Sequence, residues 1–213
     1  MPLRTHSSQG GISLVELLVG MIILSIVTTM ILLSWTSLQA SYSSTMKGDE
    51  ARNTARDAME RLRREIRDVQ PLTGQTAITQ AGANEIRFTT AFNDPGPNGT
   101  GRILLTRYWY TYDGTKSPYE WRISRQRDTN NDLLFTTGDP TMVIARNVVN
   151  GAVPSAGSPT PVFRYFGSDG VETADVTKIA TVQIRVITDL NPKHSPTYFD
   201  LVTTVQPRNL RPL

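Results

Sequence analysis

From Ile12 to Trp35 the chain reads ISLVELLVGMIILSIVTTMILLSW, 24 residues whose only charge is Glu16. At about 1.5 Å of rise per residue, a helix of that length reaches about 36 Å, enough to cross a bilayer. Two simpler readings compete with a functional span: a cleaved secretory signal and a plain anchor. A signal peptide has a shorter apolar core followed closely by a small-residue cleavage site. Here the run is longer, and Ala40-Ser41 lies beyond Trp35 and a polar stretch. On the N-terminal side stands MPLRTHSSQGG, eleven residues with Arg4 and no acid, while the far flank is neutral until Lys47. That asymmetry predicts a cytoplasmic N-terminus and an external C-terminal bulk.

A carboxylate within an apolar span costs on the order of several kcal/mol, so Glu16 is a candidate functional residue unless it snorkels at the interface. Its neighbourhood favours function. Gly11-Ile12-Ser13-Leu14-Val15-Glu16 sets a glycine directly before the apolar run and a glutamate five residues after it. This hexapeptide resembles the cleavage and N-methylation motif of class III prepilins, the precursors of type IV pilins and type II secretion pseudopilins. The resemblance implies that a membrane-embedded prepilin peptidase and N-methyltransferase cuts between Gly11 and Ile12 and methylates the new amine of Ile12. It also implies that Glu16 is an assembly carboxylate and that other pilin subunits are partners through the N-terminal helix. Ile12 stands where most relatives have phenylalanine, and Gln9-Gly10 where many have a basic residue beside the glycine. The physical logic fits independently: glycine enters a peptidase site without a Cβ. A buried glutamate wants a cation, and a neighbour's terminal ammonium supplies one.

Further along, no proline intervenes between Trp35 and Pro71. Ala51, Ala55, Met59, Leu62, Ile66 and Val69 recur at spacings of four and three, the apolar face of an amphipathic helix. Its remaining faces mix Lys47, Asp49, Glu50, Arg52, Arg56, Asp57, Glu60 and further charges to Asp68, the pattern of a solvated surface. One helix from Ile12 to Gln70 would run about 88 Å at about 1.5 Å per residue. Gly48 is its softest point. The family resemblance implies a lollipop shape, and with it four segments: a cleaved leader (1–11), a membrane and assembly half-helix (12–35), an amphipathic half-helix (36–70) and a β-rich domain (71–213).

Beyond Pro71 the period changes from 3.6 to 2. Ile86, Phe88, Thr90 and Phe92 alternate with Arg87 and Thr89 before Asn93-Asp94-Pro95-Gly96-Pro97-Asn98-Gly99 breaks the strand. Arg102 to Tyr112 follows, and Asp113-Gly114 turns it toward Tyr119, Trp121 and Ile123 as a hairpin. Later strands are expected at Thr141–Val149, Pro161–Phe166, Ile179–Thr188 and Tyr198–Val205, with a Gly/Pro/Ser loop from Gly151 to Pro161. The fold class is α+β, a spine helix against a mainly antiparallel sheet.

Composition narrows the function. The absence of cysteine excludes disulfides, thiolate metal sites and a Cys nucleophile, and two histidines, His6 and His194, at opposite ends leave metal or triad chemistry short of ligands. No enzyme, cofactor or metal is expected. A net charge of +3 from 22 basic and 19 acidic residues makes nucleic acid an unpromising partner, although a DNA-binding subunit for DNA uptake is the alternative from another class. Tyr108, Trp109, Tyr110, Tyr112, Tyr119 and Trp121 with Arg107 and Arg122 could stack bases, but aromatics are also good strand formers. Arg122, Arg125 and Arg127 line one stretch, and Asp128 is expected to answer them. Asp128, Asn130 and Asp132 place oxygens at every second residue as calcium loops do, without the glycine such loops need and with Asp139 in place of the final glutamate. A hairpin turn accounts for the same residues. Finally, Val205-Gln-Pro-Arg208-Asn209 resembles the last strand of larger minor pilins of the W type and of J-type pseudopilins. The expected protein is therefore a minor pilin precursor for the tip or initiation complex of a type IV pilus-like filament. It would be held first in the cytoplasmic membrane and then in an extracellular filament.

Overall fold

Ser13 opens the long helix. Its side-chain Oγ accepts from the Glu16 amide at 3.2 Å and its carbonyl from the Leu17 amide at 3.1 Å, the geometry of an N-cap. The computed structural model describes residues 13–72, 74–95, 101–112, 121–130, 132–151, 159–189 and 198–210. Helix α1 spans Leu14–Arg67, and the chain divides into two compact units, Met1–Met46 and Lys47–Leu213. The helix ends three residues before the expected Gln70 because Val69 leaves it to bridge Thr90 and the Gln70 amide donates to the Thr89 carbonyl at 2.8 Å. α-Helical structure continues unbroken through Gly48, the expected soft point, two residues past the boundary between the units.

Within the first unit every large apolar side chain from Leu14 to Trp35 is exposed, the least at 46% for Val27. A helix apolar around its whole circumference belongs in lipid, not on a protein core. Its hydroxyls are satisfied internally: Ser25 Oγ donates to Ile22 O at 2.8 Å, Thr29 Oγ1 to Ser25 O at 2.7 Å and Thr36 Oγ1 to Leu33 O at 2.9 Å. Such back-bonding removes the cost of carrying Ser and Thr through hydrocarbon.

The second unit holds the α+β fold. Strands β1 (Ile78–Ala81), β2 (Glu85–Pro95), β3 (Gly101–Tyr112), β4 (Trp121–Arg127) and β5 (Thr141–Arg146) form an antiparallel meander in sequence order. Strands β6 (Phe163–Gly167), β7 (Ile179–Thr188) and β8 (Phe199–Val205) form a second antiparallel sheet. The expected single sheet is therefore two. The short β1 was not anticipated, β2 runs on through Asn93 and Asp94 to Pro95, and β5 stops at Arg146, leaving Val148 as an isolated bridge to Thr188.

Ala55, Ala58, Met59, Leu62 and Ile66 on α1 share one buried apolar cluster with Ile86, Phe88, Tyr108 and Ile123 of the first sheet and Phe163, Val182, Ile184 and Val205 of the second. Two tyrosines and an asparagine sew the sheets together. Tyr110 Oη donates to Val148 O at 3.1 Å and accepts from the Gly151 amide at 2.9 Å, while Tyr165 Oη donates to Gly82 O at 2.9 Å. Buried Asn150 donates from Nδ2 to Arg185 O at 2.8 Å and accepts at Oδ1 from the Ile187 amide at 2.9 Å.

Candidate functional site

The candidate site begins at the helix start. Ser13, Leu14, Val15 and Glu16 form an S-x-x-E sequence, and the Ser13 hydroxyl satisfies the amide of Glu16, one half of a capping box. Glu16 stands in the first helical turn, exposed, where the positive end of the helix dipole favours a carboxylate. Gly11, Ile12 and His6 lie outside the described residues, as does His194. Ser13 was not foreseen as part of the site, although its spacing to Glu16 carries the signal. Past Glu16 the apolar, outward-facing surface runs without interruption to Trp35, and the helix carrying it is long and apolar enough to cross a membrane.

Residues 6–32 match a family model described as the prokaryotic N-terminal methylation motif. The chain carries that motif. The match spans Gly11, Ile12 and Glu16 and most of the apolar run, and it supports the type IV pilin and pseudopilin superfamily. The motif is the site processed by prepilin peptidase, it implies pilin subunits as partners, and it accords with anchoring by a hydrophobic helix. No curated protein matches the chain.

The other constellations resolve into structure. Tyr108 is fully buried and stacks on Phe88 with ring centroids 6.0 Å apart, and Tyr110 stacks on Trp121 at 5.1 Å. Trp109 lies under the Arg107 guanidinium at 4.3 Å, and Arg107 also covers Phe135 at 4.8 Å. The aromatics are thus divided between core packing and cation–π contacts rather than aligned as one stacking platform. Tyr119 lies outside the described residues. The arginines of β4 are answered by the helix and not by Asp128: Glu65 takes Arg125 at 3.1 Å and Arg127 at 3.4 Å, all three side chains at most 16% exposed. Burial first, and the Glu65 charge second, push the Tyr108 phenol beside them well above its ordinary pKa.

Asp128 is wholly buried, and its carboxylate accepts the amides of Asn130 at 3.1 Å and Leu133 at 2.8 Å. Asp132 accepts the Leu134 amide at 2.8 Å. Asp139 accepts the amides of Thr136 at 2.8 Å and Thr129 at 3.1 Å, and chiefly the Thr136 amide holds it below the usual carboxylate range. The oxygens that a calcium ion would use serve the turn's own backbone, in which Leu133 takes a left-handed φ of 61°. Among the described residues no group of three His, Cys, Asp or Glu side chains could hold a metal. At the C-terminal end, the Arg208 amide donates to the Arg67 carbonyl at 3.1 Å, closing one free carbonyl of α1.

Proposed function

We propose that the chain is a minor pilin precursor, a structural subunit that joins a type IV pilus-like filament in its tip or initiation complex. The single observation behind this reading is the arrangement at the N-terminus: a methylation motif with Glu16 in the first helical turn, leading directly into a helix apolar on every side. In the membrane, that surface meets lipid and the first-turn carboxylate lies near the cytoplasmic interface. In a filament, the same surface meets the helices of other subunits, and the carboxylate tolerates burial when a neighbour's N-terminal ammonium pairs with it. Gly11 and Ile12 are the cleavage pair, and Ile12 carries the methylated amine. The folded domain faces outward throughout. A J-type pseudopilin of type II secretion is the second reading, favoured by the C-terminal Arg208-Asn209, whose backbone seats on the end of α1.

Mass spectrometry of membrane and sheared-filament fractions tests the processing. A mature N-terminus at methylated Ile12, with residues 1–11 gone, is expected, and Arg4 retained in the mature chain overturns it. Glu16→Leu makes the span more apolar, so insertion and cleavage stay intact while incorporation into filaments falls. Wild-type levels of Glu16→Leu in sheared filaments refute the assembly role.

A further inference from the structure

Between Asp49 and Asp68 the solvent-facing charges of α1 are sorted by sign. At about 100° per residue, Arg52, Arg56, Arg63 and Arg67 fall within about 60° of arc, a basic ridge about 22 Å long. All four are exposed, and at the far end Arg208 joins them: Arg63, Arg67 and Arg208 line one open groove of about 440 Å³. Arg52 and Arg63 have local partners, Asp49 at 3.6 Å and Glu60 at 3.4 Å, whereas Arg56, Arg67 and Arg208 have no ion pair among the described residues. Roughly 100° further round the helix, Glu50, Asp57 and Asp68 fall within about 20° of one another. They too are exposed and without an ion pair among the described residues. Arg61, which shares their flank, donates to the Met142 sulfur at 2.8 Å.

We infer that the basic ridge is a docking surface for a second copy of this chain, and that the occupant is that copy's Glu50–Asp57–Asp68 flank. The inference rests on the filament reading above. Opposite charges on two different flanks of one helix make a head-to-tail contact, which repeats along a filament, and disfavour a two-fold one, which would set like charges together. Exposed pairs contribute little binding each and are screened by salt, so the ridge sets register and partner choice rather than strength. The native chain lacks cysteine, which leaves cross-linking free of background.

The test uses the full chain in membranes, with Arg56→Cys in one tagged copy and Asp57→Cys in another. A cross-linked pair of the two copies is expected, and its yield should drop severalfold when Arg63→Glu and Arg67→Glu are added to the first copy. Adding Glu50→Arg and Asp68→Arg to the second copy should then restore it, an exchange that a purely structural role for these residues would not reproduce. Absence of the cross-link, or a yield indifferent to both reversals, overturns the docking surface. Cleavage at Gly11 and recovery in sheared filaments are scored in the same samples, so failure of the filament reading shows separately as loss of those two signals.

Discussion

Asn150 does the work of a strand with a single side chain. It is 1% exposed, and its amide bonds the Arg185 carbonyl and the Ile187 amide where the two sheets meet. Asn150→Leu keeps the volume and strands both backbone groups, so a loss of about 2–4 kcal/mol is expected in denaturant unfolding. Nothing in the surrounding loop sequence marked this residue, because the role depends on a meeting of segments far apart in the chain. Tyr110 is similar: its aromatic neighbours announced a strand, but not the bonds to Val148 and Gly151 that fix the next turn. Burial pushes its pKa up to about 12, the Gly151 amide offsetting part of the rise, and burial raises Tyr165 further still. These phenols are neutral in the fold, whereas an unfolded tyrosine ionises near pH 10. Above about pH 10 the unfolded chain therefore releases protons that the folded chain retains, and stability falls as pH rises. Tyrosinate absorbance should consequently appear together with loss of circular dichroism in alkaline titration. At the other end of the chain, Ser13 was legible in principle as the first member of S-x-x-E. Ser13→Ala should cost the helix start about 1 kcal/mol, read as faster amide exchange at Glu16 and Leu17.

At the scale of elements, legibility followed periodicity. β7 occupies the expected Ile179–Thr188 because Val182, Ile184 and Val186 point inward in strict alternation. β1 escaped notice because its four residues, Ile78–Ala81, are too few to establish a period and depend on pairing with β2. The proline-rich stretch after Phe92 was read as a break, yet Pro95 still pairs with Gly101 across a register shift. The helix shows the same logic in its two halves. Leu62 is fully buried against the sheets, whereas Leu33 is 65% exposed. Leu62→Ala should cost the folded domain about 3 kcal/mol, and Leu33→Ala should leave its melting temperature unchanged. A Leu33→Ala variant that melts earlier would place that side chain in a packed environment within the single chain. The loop from Asp128 to Asp139 is held in a third way, by carboxylates accepting amide protons. Asp139→Ala should therefore raise amide exchange at Thr129 and Thr136 without moving the strands on either side.

For the whole molecule, the decisive fact is where the core lies. Every buried apolar residue, from Ala55 to Val205, falls within Lys47–Leu213, the second of the two compact units. The first unit has no buried apolar residue among those described; its large side chains from Leu14 to Trp35 all face outward. A chain that exposes so continuous an apolar surface needs lipid, detergent or other helices around it, since soluble monomers rarely expose patches beyond a few hundred Å². The two sheets and residues 47–67 of the helix bring their own closed core, so removing the apolar half takes no core side chain away. A fragment beginning near Ser41 should accordingly be soluble and monomeric, with a single cooperative urea transition that coincides by circular dichroism and by tryptophan fluorescence. The full chain should need detergent for the same measurement and show the same midpoint. A fragment that aggregates under all mild conditions, or unfolds at a midpoint well below that of the full chain, would mean that the apolar half contributes packing energy to the fold. That would contradict the distribution of burial, which assigns residues 14–35 to an environment outside the folded chain.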